Sequence, residues 1–146
     1  MGLVLNRPSE ATVTEALPDF EPLVEDGAPI FVGGPVETGA ITMLAEFEDP
    51  DEAATLLAGD VGFVRGDADP EIVVGATRRA RVFAGYAGWG PGQLEAELEE
   101  ESWIVELPRP DEIFTDDPER LWNAVLRRKG GRYLLLARMP DDLSVN

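Results

Sequence analysis

Chemistry in this chain has to come from groups other than thiols and imidazoles. The sequence contains no cysteine and no histidine. Disulfides, thiolate nucleophiles, thiolate or imidazole metal sites and Ser-His-Asp relays are therefore excluded. Carboxylates alone can hold a hard cation or transfer a proton. With 29 acidic residues, chance clusters are expected, and no spacing among them singles out a pair. Asp49-Pro50-Asp51, Asp69-Pro70-Glu71 and Asp117-Pro118-Glu119 read more simply as helix starts. In each, Asp caps free N–H groups, Pro fits the first turn, and the next acid suits the positive end of the dipole. The residues supply no catalytic constellation, no metal ligand set and no cofactor motif.

The other candidate chemistry is anion or ligand binding by backbone amides. Gly85-Tyr86-Ala87-Gly88-Trp89-Gly90-Pro91-Gly92-Gln93-Leu94-Glu95 reads as a strand, a glycine turn and a short amphipathic helix. A helix N-terminus after such a turn can bind an anion. The glycine spacing fits neither a Walker loop nor G-x-G-x-x-G. No Lys or Arg lies between Val82 and Ser102, while Glu95, Glu97, Glu99, Glu100 and Glu101 follow. That field disfavours phosphate. The alternative is packing, with glycines letting the turn approach a neighbouring strand and Trp89 covering the core. The candidate ligand-binding residues are Gly88, Trp89, Gly90 and Gly92, with Gly33 and Gly34 of a second glycine turn. Asn6 and Arg7 join them at the end of an early apolar run. Arg7 could bind a carboxylate or phosphate, or pair with a nearby acid.

These residues need elements to position them. The chain of 146 residues is long enough for one domain with a real core. Apolar runs predict strands at 2–6, 29–32, 41–45, 61–64, 80–86, 103–107 and 133–137. The first should stop at Pro8 and the last at Pro140. Helices are expected at 12–17 with Ser9 as a cap, from Asp49 to about Leu57, weakly after Asp69, from Gln93 to near Ser102, and after Asp117 to Lys129. Pro108 to Asp111 reads as an irregular linker. Strands and helices alternate through the second half, so the expected fold is α/β: one compact domain with a mixed sheet and helices packed against it.

The glycine-turn stretch, with Trp103 soon after it, resembles the signature of the YqgE/AlgH family of bacterial proteins. Gly2-Leu3-Val4-Leu5-Asn6-Arg7-Pro8, Gly33-Gly34-Pro35-Val36 and Asp142-Leu143-Ser144-Val145-Asn146 fit the same family. The resemblance spans essentially the whole chain. It implies a single mixed α and β domain and brings no established reaction; some members carry a transcriptional-regulator label. It also implies an apolar strand with a histidine-containing turn upstream of Gly2, which this sequence lacks.

Twelve basic residues against 29 acidic ones give a net charge of −17. Such a surface opposes nucleic-acid phosphates and anionic membranes. It suits solubility, or a basic partner. Arg78, Arg79 and Arg81, and then Arg127, Arg128, Lys129 and Arg132, are the exceptions. Brought onto one face, they could bind an acidic partner or nucleic acid. The absence of a signal peptide or a long apolar run makes the cytoplasm the expected location. The leading expectation is a non-enzymatic regulatory or binding domain for a protein partner or small ligand, of open oligomeric state. The alternatives are a carboxylate or metal-dependent hydrolase and a DNA-binding transcriptional regulator, although no helix-turn-helix pattern is evident. A groove over Gly88 to Gly92 would favour the small ligand, and an exposed apolar patch the protein partner.

Overall fold

Two long strands carry the architecture. In the computed structural model, which describes residues 1–139, β3 (Val36–Phe47) pairs antiparallel with β6 (Thr77–Tyr86) from Val36↔Tyr86 to Phe47↔Thr77. Around them lie β1 (Pro8–Thr12), β2 (Pro29–Val32), β4 (Thr55–Ala58) and β5 (Val61–Phe63). The sheet has six strands in the order β1-β2-β6-β3-β5-β4. Only β2 and β6 run parallel among the described strands; the other neighbours are antiparallel. The expected mixed sheet with helices is therefore present.

Alternation along the strands splits the core into two layers. Ile30, Met43 and Val82 point to one face and pack with Val13, Leu23 and Val73. Those last three come from α1 (Val13–Ala16), a 3-10 turn at Pro18–Leu23 and α2 (Pro70–Ala76). Phe31, Leu44, Val61 and Phe83 point the other way and meet Ile113 and Phe114, with Leu3 and Leu5 against them. Ile113 ends α4 (Pro110–Ile113). The remaining helices are α3 (Gln93–Glu99), α5 (Leu121–Lys129) and α6 (Tyr133–Leu136).

Several expected elements are corrected by tertiary context. Residues 2–6 form no strand. Gly2 makes a lone bridge to Ala87, and Leu3 and Leu5 cover the sheet face instead. The strand begins where it was expected to stop, at Pro8, because β1 is an edge strand and an edge tolerates a missing N–H. α1 is capped by Thr12, whose Oγ1 accepts from Glu15 N at 3.4 Å, and not by Ser9. Asp49 does accept from Asp51 N at 3.1 Å, but the turn lasts only Pro50–Glu52 and the chain then enters β4. Asp69 caps α2 as expected. Asp117 makes no capping bond and instead pairs with Arg120 at 3.4 Å. The linker near Pro108 contains α4. Residues 103–107 belong to no strand or helix, and 133–136 are helical. Pro140 and the Asp142 to Asn146 ending lie outside the described residues.

Candidate functional site

The glycine turn begins where β6 leaves the sheet. Gly33 and Gly34 cross its last residues at backbone contact. A Cβ on Gly33 would overlap the Gly85 carbonyl oxygen, and one on Gly34 the Tyr86–Ala87 peptide. At Gly85, with φ +70°, a Cβ would lie 2.6 Å from Gly34 O. Backbone therefore fills the space at Gly33, Gly34 and Gly85. The bridge from Gly2 N to Ala87 O, 2.9 Å, sets the Trp89 ring against Gly2. Gly88 and Gly90 stand in ordinary surroundings where a methyl group would fit. Gly92 starts α3 in the left-handed region, at φ +74°.

The turn then locks a carboxylate between two indoles. Trp89 Nε1 donates to Glu97 Oε2 at 3.1 Å, and Trp103 Nε1 donates to the same oxygen at 2.8 Å. Gln93 Nε2 donates to Glu97 Oε1 at 2.9 Å, while Gln93 Oε1 accepts from Gly90 N at 3.1 Å. Hydrogen bonds from Gln93, Trp103 and Trp89 hold the Glu97 carboxyl below its ordinary range, because each donor favours the charged form. Trp103 is thereby fixed to α3 across the polar stretch Glu99 to Ser102.

Trp103 forms one wall of an open cavity of about 530 Å³. Leu98, Val105, Tyr133, Leu135 and Leu136 supply most of the rest, with Glu101 and Arg132 at its edge. The apolar residues are not sealed: Trp103 is 47% exposed, Val105 63% and Leu135 70%. The segment Trp103 to Leu107 is held by α5. Lys129 Nζ donates to Val105 O at 2.7 Å and Arg128 Nη2 to Leu107 O at 2.8 Å. Arg128 also pairs with Glu112 at 2.7 Å and Glu106 at 3.1 Å. This network anchors the backbone on which Trp103 and Val105 stand exposed.

None of Asn6, Arg7, Gly33, Gly34, Gly88, Trp89, Gly90 and Gly92 lines this cavity. Trp89 reaches it only through Glu97 and Trp103. Arg7 is exposed, and its carbonyl accepts from Val32 N at 2.8 Å, which ties it to β2 rather than to the glycine turn. The cavity residues were missed because they come from separate segments. The available signal was the alternation Trp103, Val105, Leu107, whose apolar side faces solvent rather than a core. Part of the basic clusters is paired locally. Arg78 meets Asp60 at 3.0 Å, and Arg79 meets Glu46 at 2.7 Å and Asp111 at 2.9 Å. Among the described residues, no three acidic side chains gather where a metal ion could sit. No helix there is long and apolar enough to cross a membrane.

Comparison with known proteins agrees with this architecture. The AlgH-like family model matches residues 1–134. A UPF0301 protein of Streptomyces coelicolor is 41% identical over 152 residues, covering all of this chain and 79% of that protein. A crystal structure of a Corynebacterium diphtheriae protein superposes with a TM-score of 0.85 at 27% identity, over 94% of this chain and 74% of that one. The solution structure of the AlgH protein from Pseudomonas aeruginosa gives 0.68 at 28% identity, over 97% and 78%. This acidic chain, with its glycine turn packed on the second glycine pair, belongs to the AlgH-like family.

Proposed function

We propose that the protein is a non-enzymatic regulatory or binding domain that docks a protein partner at the cavity beside Trp103. The reading rests on one observation: Leu98, Trp103, Val105, Leu135 and Leu136 are all exposed around a single concavity. Apolar side chains grouped in this way mark interaction surfaces, whereas isolated ones do not. Trp103 is held by Glu97 before any partner arrives, so little rotamer freedom remains to be lost on docking. Buried tryptophan is also among the side chains that contribute most at interfaces. The acids Glu99, Glu100 and Glu101 beside the cavity favour a partner whose apolar segment is flanked by Lys or Arg.

The test compares the full chain with the double variant Trp103→Ser, Leu135→Ser. Both are immobilised and exposed to the same host extract, after circular dichroism has established equal folding. A protein retained by the wild type and released by the variant, with cross-links mapping to residues 98–107 or 132–136, supports the reading. Equal retention by both, or a small molecule as the only species carried in native mass spectra, overturns it.

A further inference from the structure

A second feature lies along β6, remote in sequence from the Trp103 cavity. β2 covers β6 only at its far end, through Phe31↔Phe83 and Val32↔Ala84. β3 flanks β6 on its other side throughout. Between Thr77 and Arg81, therefore, no described strand pairs with β6 on the β2 side. Val82, the next residue, is only 1% exposed, so the accessible part of β6 on this side runs from Thr77 to Arg81. Ala84 O accepts from Gly33 N at 2.9 Å toward the β2 side. Strand alternation turns the Ala80 peptide group the same way, beyond the last β2 pairing.

A groove of about 930 Å³ runs along this stretch. Arg78, Arg79, Ala80, Arg81 and Val82 line it consecutively. Successive side chains point to opposite faces, so only a groove that follows the strand edge can touch all of them. Its walls include Leu23 on one face of the sheet and Phe31 and Phe114 on the other. An open edge with side-chain walls on both faces is the geometry that accepts an added strand.

The charges narrow the occupant. Arg78 and Arg79 already pair with Glu46, Asp60 and Asp111. Arg81 does not bond to a carboxylate. It donates from Nη1 to Ile113 O at 2.8 Å and from Nη2 to Thr115 O at 2.6 Å, and stacks on Phe31 at 4.2 Å. Burial pulls its pKa down, with Asp116 opposing that. The guanidinium stays charged and partly desolvated, which makes an incoming carboxylate favourable. Glu25, Asp26, Asp111 and Asp116 elsewhere around the groove disfavour further acids. A second copy of the chain is opposed by its charge of −17.

We propose that the free edge of β6 takes an extended segment of a partner protein as an added strand, with one acidic side chain of that segment meeting Arg81.

The probe is a library of displayed random octapeptides selected on the full chain. Enriched sequences should alternate β-branched and polar residues and place Glu or Asp at one fixed position. The best sequence, synthesised, should slow amide exchange at Ala80. Methylating the peptide's edge-facing amides should weaken binding at least about tenfold, as should exchanging its acid for Lys. Arg81→Lys should weaken the acidic peptide more than a version with Gln in place of the acid. Should Arg81→Lys fail to fold, the peptide substitutions alone decide the matter. No enrichment, unchanged exchange at Ala80, tolerance of the methylated amides, or a preference for Lys over the acid overturns the proposal.

Discussion

Trp89 and Trp103 meet edge to face at 5.7 Å and donate to the same oxygen of Glu97. One carboxylate thus couples the glycine turn to the wall of the candidate docking cavity. A glutamine at position 97 would offer only one carbonyl oxygen to two indoles and Gln93, and its own N–H₂ would face donors. Glu97→Gln should leave far-ultraviolet circular dichroism unchanged. Near-ultraviolet signals should weaken and tryptophan emission should shift to the red as Trp103 loosens. An unchanged emission spectrum would mean that aromatic packing alone holds the pair.

The same carboxylate gives a pH dependence with a defined sign. Its folded pKa lies below its unfolded value, chiefly through the Gln93 bond and then those of Trp103 and Trp89. The contribution is therefore complete above the ordinary glutamate range. It fades as pH falls through that range, and is gone below the folded pKa. Tryptophan emission should follow one acid transition below the ordinary glutamate range while the fold persists. Glu97→Gln should remove that transition. A transition that survives in the variant would assign it to other carboxylates.

The glycines separate into two kinds, and substitution can sort them. Gly33→Ala and Gly34→Ala drive a methyl group into the backbone of residues 85–87. Each should cost roughly 3 kcal/mol or more, as overpacking without room to relax does. Gly88→Ala places its Cβ 3.6 Å from Tyr86 Cε2 and from Val36 Cγ2. It should change stability by less than about 0.5 kcal/mol. Urea midpoints at constant m-value would measure both. A large loss at Gly88 would point to a backbone requirement there beyond simple packing.

How much of this was legible depended on whether the signal was local. The strand at Pro29–Val32, the end of β6, α3 after Pro91, and the basic last turn of α5 all follow from neighbouring residues. So does the Asp69 cap, because its acceptor and donor are two residues apart. The misread runs are short and apolar, such as Tyr133–Leu136 and residues 103–107. Periodicity cannot separate strand from helix at that length, and contacts with α5 decided the second. The glycine turns were visible, and so was close packing as a reason for them, but not which segments would meet. Gly33 and Gly85 are far apart in sequence and meet only once β2 and β6 pair. Leu98, Trp103 and Leu135 likewise become one surface only through folding.

Charge gives the last prediction. With 29 acidic and 12 basic residues, like charges repel across the folded surface. Raising salt from 0.01 to 1 M shortens the screening length from about 30 to about 3 Å. The repulsion should fall away. The Arg128 pairs with Glu112 and Glu106 should lose less, since their side chains are only 18–23% exposed. Melting temperature should therefore rise with NaCl, by about 2–4 °C for each 1 kcal/mol gained at this size. KCl should act alike, because screening does not distinguish the cations. A fall in melting temperature would mean that the ion pairs of Arg79 and Arg128 outweigh the repulsion.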